Sequence, residues 1–367
     1  MNILFISKLS GNLWAGPNNS VPAQINAQQE FDNCFWYNLN DIKLDNWTIN
    51  GLDCKNLIDY KRGRLNDLPN PFNRPDIAVV EEVYCYPFQR IISDLIKQSI
   101  PYVIVPRSTL TKQAQGNKSL KKAIGNAFWF NHMVRNASAL QYLTEAEMRD
   151  SIGQWRVRYN IIPNGIKASG YPNGSKIRHG INGVYIGRVD IYQKGFDILI
   201  EAIAKVQSDL RSEMFHLNVY GPNREDAYIK VRELSLSYGV EDIISINGPV
   251  YNEEKKQILQ NADVFIMSSR FEGLPMSLIE AISYGIPCVI TKGTNLVDEV
   301  QQNKAGWVAE NNSDSLAKAL HQMTKEQRLF DEKGNNAYLL SKAYSWREIA
   351  KKTHMWLYEI VNGKDDS

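Results

Sequence analysis

The chain has 367 residues and a formal net charge of +2, with 43% hydrophobic and 22% charged residues. This length predicts two domains of roughly 150 to 200 residues each, and the composition is typical of a globular protein rather than a disordered or fibrous one. Between Arg107 and Gly165, nine Lys or Arg residues stand against three acids. This local excess is too small for a dedicated nucleic-acid-binding protein, so we expect no nucleic-acid partner; it favours an anionic small molecule or an acidic membrane surface.

The beginning of the chain reads as an apolar strand, Met1–Ile6, without the basic leader and small-residue cleavage site of a signal peptide. No stretch reaches the length of a membrane span, so the expected location is the cytoplasm. The four cysteines stand far apart without a C-x-x-C pair, which indicates neither a disulfide framework nor a zinc site. The five histidines are also scattered and no Asp-x-Asp motif occurs, so we expect no metal and no other cofactor.

The first half of the chain has the layout of a βαβ domain. A polar loop with two glycines, Ser10–Ser20, follows the first strand and precedes a predicted helix, Val21–Phe31. Such a loop lets the backbone approach a ligand closely, and a plain surface turn is the alternative. Further along, a buried strand (Ile77–Val80), a helix (Ile91–Gln98) and a strand (Pro101–Val105) are predicted, and Arg107 follows the last of these.

An amphipathic helix is predicted over Leu120–Val134, with Lys118, Lys121 and Lys122 near its start. A core helix with a solvated basic edge is the simpler interpretation. Trp129 next to Phe130, together with the lysines, keeps a peripheral contact with the inner face of the cell membrane open.

A second α/β domain is predicted after a segment rich in Gly, Ser, Asn and Pro, 168–182, which has the composition of a linker. Its first strand, Val184–Val189, contains Gly187-Arg188 near its end, and Lys194-Gly195 stand before the next helix. Basic residues at a strand end and at a helix start suit an anionic ligand, although a basic loop residue is usually only solvated. Further strands are predicted over Leu217–Pro222 and Ile244–Val250.

The segment Asn261–Thr291 reads as strand, loop, helix and strand. Glu272 falls in the loop and Glu280 in the helix that starts after Pro275, a residue tolerated in a first helical turn. The unpaired N–H groups of a helix start can hold a phosphate. Four backbone N–H groups at this helix start are candidate donors, those of Gly273, Leu274, Met276 and Ser277.

Several of these motifs resemble those of one enzyme family. The run E-G-L-P-M-S-L-I-E-A-I-S-Y-G-I-P resembles the E-x7-E signature of retaining GT-B glycosyltransferases, closest to glycosyltransferase family 4 (glycosyl transferases group 1). Gly187-Arg188 through Lys194-Gly195 is similar to the G-R…K-G pattern of these enzymes, and Ile162-Pro-Asn-Gly165 to the segment that ends their first domain.

The resemblance implies an α/β fold with two Rossmann-like domains facing each other across a cleft, and a C-terminal helix that crosses back to the N-terminal domain. We therefore expect an acceptor-binding domain over 1–167, a donor-binding domain over 168–345 and the crossing helix within 346–367.

The resemblance also implies roles for individual residues. Arg188 and Lys194 would grip the donor diphosphate, Glu272 would hold a sugar hydroxyl, and these three form the candidate catalytic set. Glu280 would hold the ribose. The full donor-binding set is Gly16, Gly187, Arg188, Lys194, Gly248, Val250, Glu272, Gly273, Leu274, Met276, Ser277 and Glu280. Arg107 stands where many family members have a histidine-glycine pair, and an arginine there could hold a phosphate or an anionic acceptor group.

The implied activity is transfer of a hexose-type sugar from a nucleotide diphosphate sugar, such as a UDP-sugar, with retention of anomeric configuration. The implied acceptor is a saccharide or a lipid-linked molecule in bacterial capsule or O-antigen synthesis. A nucleotide-sugar epimerase or hydrolase on the same scaffold, and a catalytically silent carbohydrate- or nucleotide-binding protein, remain the alternatives. A dinucleotide dehydrogenase is disfavoured because no G-x-G-x-x-G follows a predicted strand.

Overall fold

A computed structural model describes residues 1–11, 16–42, 44, 47, 54–85, 88–111, 129–151, 157–167 and 179–363. The chain divides into two compact units. One comprises Met1–Gly165 together with Trp346–Ser367, and the other comprises Ile166–Ser345. The predicted linker falls largely on 168–178, outside the described residues. Each unit is built around its own sheet.

The strands and helices of the described residues alternate along most of the chain. The strands are β1 (Asn2–Ser7), β2 (Asn33–Asn38), β3 (Lys55–Asn56), β4 (Ile77–Glu81), β5 (Tyr102–Val105), β6 (Ala139–Tyr142), β7 (Tyr159–Ile161), β8 (Asn182–Ile186), β9 (His216–Tyr220), β10 (Ile244–Asn247), β11 (Val264–Met267), β12 (Cys288–Thr291) and β13 (Gly306–Ala309). The helices are α1 (Pro17–Gln28), α2 (Phe88–Lys97), α3 (Asn131–Arg135), α4 (Glu145–Ser151), α5 (Phe196–Lys205), α6 (Gln207–Ser212), α7 (Ala227–Ser237), α8 (Asn252–Asn261), α9 (Met276–Ser283), α10 (Val297–Gln302), α11 (Ser313–Lys325), α12 (Phe330–Ser341) and α13 (Trp346–Val361).

The first unit has a seven-stranded sheet in the order β3-β2-β1-β4-β5-β6-β7, in which all neighbouring strands run parallel. β1 and β4 are almost continuously apolar and buried, as expected for central parallel strands covered on both faces. Because side chains alternate along a strand, Leu4 and Ile6 pack in one core cluster while Ile3 and Phe5 pack in another.

The C-terminal helix α13 belongs to this first unit. Its Ile349, Trp356 and Leu357 are buried in the same cluster as Ile3 and Phe5 of β1. The helix therefore completes the core on one face of the first sheet.

The second unit has a six-stranded parallel sheet in the order β10-β9-β8-β11-β12-β13. This is the doubly wound order, in which the chain direction across the sheet reverses between β8 and β11. The loops after these two strands diverge to opposite faces, and ligands of open α/β sheets bind in the crevice that this leaves. The loop after β8 carries the candidate residues Arg188 and Lys194, and the loop after β11 carries Glu272.

Some predicted boundaries differ from the observed ones. The predicted helix Val21–Phe31 begins four residues earlier, at Pro17, because proline fits a first helical turn and Pro22 is accommodated within the helix. Most of the helix predicted over Leu120–Val134 lies outside the described residues, and α3 covers its end. Among the described helices, none is both long and apolar enough to cross a membrane.

Candidate active site

The loops after β8 and β11 meet through an ion pair. Nζ of Lys194 lies 2.5 Å from Oε1 of Glu272, and the two side chains are only 12% and 9% exposed. Ser269 donates to the same Glu272 oxygen at 2.6 Å. Within the described part of the chain, Oε2 of Glu272 receives no hydrogen bond and Nζ of Lys194 makes no second one. Lys194 is thus oriented by one contact and Glu272 by two, and both groups retain capacity for a ligand.

The approach of the two loops depends on Gly195. This residue is left-handed, with φ +67, and a Cβ atom there would lie 2.1 Å from the carbonyl oxygen of Ser268. The hydroxyl of Ser268 in turn donates to the carbonyl of Lys194 at 2.9 Å. A glycine is therefore required where the first loop passes the second.

A second set of contacts, made by Arg270, joins the same two loops. Arg270 forms a two-pronged pair with Asp197 of α5, at 2.7 and 2.6 Å, and its guanidinium lies 4.7 Å from the ring centre of Tyr192. The backbone N–H of Arg270 donates to the carbonyl of Gln193 at 2.9 Å. Sequence reasoning missed Arg270, although it stands only two residues before Glu272.

Arg188 lies at the carboxyl end of β8, with its side chain exposed. Nη2 of Arg188 donates to Oε1 of Gln193 at 2.8 Å, and its carbonyl accepts from the buried Tyr185 hydroxyl at 2.9 Å. Gly187, just before it, packs so closely that its carbonyl oxygen would lie 1.7 Å from a Cβ on Gly221. Within the ranges that the structure describes, the side chain of Arg188 makes one hydrogen bond, so most of its guanidinium N–H groups can bind an anion.

The start of α9 presents some, though not all, of the expected backbone donors. Pro275 precedes the helix and no side chain caps it. The amide of Met276 donates to the carbonyl of Leu274 at 2.9 Å, so this amide is occupied within the chain. Among the described residues, the amides of Gly273, Leu274 and Ser277 make no backbone hydrogen bond outside the regular elements.

Glu280 pairs with a residue that sequence reasoning did not identify. Nζ of Lys255, on α8, contacts Oε2 of Glu280, and the two side chains are about one quarter and one third exposed. Nothing distinguishes Lys255 from its neighbour Lys256 in the sequence, because the pairing depends on how α8 and α9 lie side by side.

The segment Gly248–Val250 lines a cavity of about 660 Å³ on the second unit. Gly248 is exposed, with open space where a Cβ atom would stand, whereas Val250 is 8% exposed. Tyr220 and Glu254 contribute to the same cavity. A ring-shaped ligand lying against this backbone would meet both polar and apolar atoms.

Gly16 and Arg107 belong to the first unit. Gly16 precedes α1, and a Cβ atom there would meet no described residue within 4 Å. Arg107 is 4% exposed and pairs through Nε with Oε2 of the fully buried Glu81 at 2.6 Å. Its other nitrogens donate to Ser20, Asn164 and Gln24 at 3.0, 3.4 and 3.1 Å. Holding a phosphate would require these contacts to be exchanged.

The backbone around Arg107 is strained. Arg107, Ser108 and Glu82 all have positive φ, at the carboxyl ends of the adjacent strands β4 and β5. Glu147 holds this turn by accepting from the amides of Ser108 and Leu143. Burial raises the pKa of Glu147, and it also raises that of Glu82, where the neighbouring Arg107 acts in the opposite direction.

The region predicted to contact a membrane is described only at its end. Residues 112–128, with Lys118, Lys121 and Lys122, lie outside the described residues. Trp129 and Phe130 are partly buried against the core of the first unit, and the ring of Phe130 lies 4.8 Å from that of Tyr84.

The second unit is similar to a known protein family. Residues 182–340 match the model of the family "Glycosyl transferases group 1". A protein of Salmonella typhimurium named as a colanic acid biosynthesis glycosyltransferase, WcaL, is 31% identical over 140 residues, or 36% of this chain and 34% of that protein. The mannosylfructose-phosphate synthase of Agrobacterium fabrum is 27% identical over 177 residues, or 47% of this chain and 38% of that enzyme. The matches thus span little more than a third of the length of these relatives.

The fold is shared over nearly the whole chain. The structure of HepE from Anabaena in complex with UDP superposes with a TM-score of 0.70 and 16% identity, covering 98% of this chain and 100% of that one. The predicted fold class, GT-B with two Rossmann-like domains, is confirmed.

Proposed function

We propose that the protein is a retaining glycosyltransferase that transfers a hexose-type sugar from a nucleotide diphosphate sugar to a saccharide or lipid-linked acceptor. The observation that carries the proposal is the contact between Lys194 and Glu272 at the reversal point of the second sheet. This contact brings a lysine and a carboxylate together where doubly wound sheets bind ligands, which supports a role for the lysine on the diphosphate and for the carboxylate on a sugar hydroxyl. The family match over 182–340 supports the same reading.

The proposed reaction forms a bond between an acceptor oxygen and the anomeric carbon while the bond from that carbon to the diphosphate breaks. The departing diphosphate oxygen takes the acceptor proton, so no protein nucleophile is required. Arg188 and Lys194 stabilise the negative charge that develops on the diphosphate, because electrostatic groups that are already oriented need no reorganisation during the step. The free oxygen of Glu272 accepts from a sugar hydroxyl, and Glu280 holds the ribose hydroxyls next to Lys255.

The biological setting that we propose is bacterial surface polysaccharide synthesis, as capsule or O-antigen, with a UDP-sugar as donor. The name of the WcaL relative, colanic acid biosynthesis, supports the setting, and the UDP bound to HepE supports the base. The cavity beside Gly248–Val250 would receive that base.

A panel of nucleotide sugars tests the donor first. A donor present at about 100 times its dissociation constant should stabilise the protein by roughly 2.7 kcal/mol, which a thermal-shift assay detects. Products are then analysed with and without acceptor. Transfer with retained configuration is expected; hydrolysis or epimerisation that ignores the acceptor would favour the other enzyme class, and binding without turnover a silent binding protein.

The metal requirement is a second test. We propose that the charge of the leaving diphosphate is met by Arg188, Lys194 and backbone amides, so activity should survive EDTA. Within the described part of the chain, no three His, Cys, Asp or Glu side chains converge as a metal-binding group would. Loss of activity in EDTA that magnesium or manganese restores would contradict this account.

Peripheral membrane contact through residues 112–135 remains a prediction. Sedimentation with anionic liposomes tests it, comparing the wild type with a variant in which Lys118, Lys121 and Lys122 are changed to Glu. The variant should sediment with the liposomes less than the wild type does. Equal sedimentation of the two proteins would contradict the prediction.

A further inference from the structure

A basic turn follows β3 in the first unit. Lys61, Arg62 and Arg64 stand within four residues, and Gly63 separates Arg62 from Arg64. Gly63 has a φ of +61, a left-handed conformation that glycine adopts readily. Arg90, in the first turn of α2, donates through Nη1 to the carbonyl oxygen of Arg62 at 3.4 Å. Three arginines from two segments thereby come to line one cavity.

That cavity has a volume of about 430 Å³ and is lined by Arg62, Arg64, Asn66, Asp67 and Arg90. All of these residues belong to the first unit, whereas Arg188 and Lys194 belong to the second. The cavity is therefore a separate feature from the proposed donor site.

The guanidinium of Arg64 is held by a buried carboxylate. Its Nε and Nη2 atoms donate to the two oxygens of Asp94 at 2.8 and 2.5 Å, and Asp94 is 4% exposed. Asp94 also accepts from the backbone amide of Leu65 at 3.1 Å. This two-pronged contact fixes the plane of the Arg64 guanidinium, and its remaining N–H groups have no partner among the residues that the structure describes.

Arg62 and Asn66 are oriented in the same manner. Arg62 contacts both oxygens of Asp67, from Nε at 3.1 Å and from Nη2. The side-chain oxygen of Asn66 accepts from Gln98 at 3.0 Å, so the NH₂ group is the part of this amide that can donate to a ligand. Arg90 has no carboxylate partner among the described residues.

The lining therefore consists mainly of donors. The lining contains three guanidinium groups and one amide but only one acidic side chain, Asp67. A neutral or cationic ligand would therefore lack acceptors for its own donors. A solvated basic edge usually consists of unsupported side chains, whereas here Arg62, Arg64 and Asn66 are each held by a second residue. Oriented guanidinium groups match the oxygens of a phosphate in a two-pronged geometry that lysine does not offer.

We propose that this cavity is a binding site for a phosphate or diphosphate group. The group could come from a soluble phosphorylated molecule or from the headgroup of an anionic lipid, since both present the same oxygens. The proposal does not depend on glycosyl transfer by the second unit.

Isothermal titration with inorganic phosphate tests the soluble source. In the full chain, the double variant Arg62→Gln/Arg90→Gln should bind phosphate roughly tenfold more weakly or worse, because it loses charge-assisted hydrogen bonds. The matched control is Arg149→Gln/Arg347→Gln, which removes the same charge from two exposed arginines of the first unit. Arg64 is left intact because its removal would leave the buried Asp94 unpaired.

Sedimentation with phosphatidylcholine vesicles, with and without phosphatidic acid, tests the lipid source. Phosphate binding or vesicle binding that is weakened in Arg62→Gln/Arg90→Gln and unchanged in the control supports the site and identifies the source. The single variant Arg90→Gln repeats the comparison if the double variant melts at a lower temperature. Equal binding of both probes by both double variants, or phosphate binding that is lost only in Arg188→Ala/Lys194→Ala, would overturn the proposal and leave the proposed function untouched.

Discussion

Both sheets carry a cation paired with a carboxylate near the carboxyl ends of their strands, and the two pairs are surrounded differently. Arg107 and Glu81 of the first unit are 4% and 0% exposed, and the arginine donates to four residues through all three of its nitrogens. Lys194 and Glu272 of the second unit are 12% and 9% exposed, and the lysine makes one hydrogen bond within the described residues. In the first pair the protein occupies all three nitrogens of the arginine, and Oε1 of Glu81 is buried without a hydrogen-bond partner among the described residues. The second pair retains donors and acceptors for a ligand.

The first pair should therefore matter most for stability. Replacing Glu81 with Gln removes the carboxylate that pairs directly with the buried Arg107, and we expect a loss of about 3–5 kcal/mol in the free energy of unfolding. Urea unfolding measures it. The control is Glu310→Gln, which breaks an exposed pair with Lys292 and should cost about 0–1 kcal/mol. Similar losses in both variants would mean that the buried pair contributes no more to the free energy of unfolding than the exposed pair does.

The second pair should matter most for activity. We expect Glu272→Ala to abolish most turnover, because the carboxylate that accepts from the sugar is lost, while the fold stays intact because a loop acid leaves no core cavity. Steady-state kinetics and a melting curve check the two parts. Near-full kcat with an unchanged melting temperature would show that Glu272 does not contact the sugar.

Lys194→Ala should lose at least roughly tenfold in kcat/KM, the lower end of what a charge-assisted hydrogen bond contributes. Since Lys194 and Glu272 touch, the double variant should lose less than the product of the single losses. Strict multiplication of the two losses would argue that the residues act on the ligand independently.

Glu280→Ala should have the smallest effect of this series. It should raise the KM for the donor with little change in kcat, because the ribose lies away from the bond that breaks. Lys255→Ala provides the comparison, since it removes the partner of Glu280 and leaves the carboxylate in place. An equal fall in kcat for both variants would place Glu280 closer to the chemistry than proposed.

The fold class followed from the resemblance of the motifs to those of GT-B glycosyltransferases. The sequence itself predicted Arg188 at a strand end, Lys194 before a helix and Glu272 in a loop, because short apolar runs followed by glycine and charged residues are visible without coordinates. It could not predict that Lys194 pairs with Glu272, since 78 positions separate them and the contact depends on the close passage at Gly195. The clustered arginines after β3 were overlooked for the same reason. Arg90 joins them only through the folding of α2, and a run of basic residues by itself usually indicates solvated surface.

The position of α13 has a consequence for the order in which the protein can fold during synthesis. Domains generally fold as units, the N-terminal one first, while the ribosome adds residues. Here Ile349, Trp356 and Leu357 emerge only after the whole of the second unit, yet they fill the core beside Ile3 and Phe5. The second unit can fold while the first still exposes the apolar face that α13 will cover. The first unit, although its synthesis begins first, therefore completes its core last.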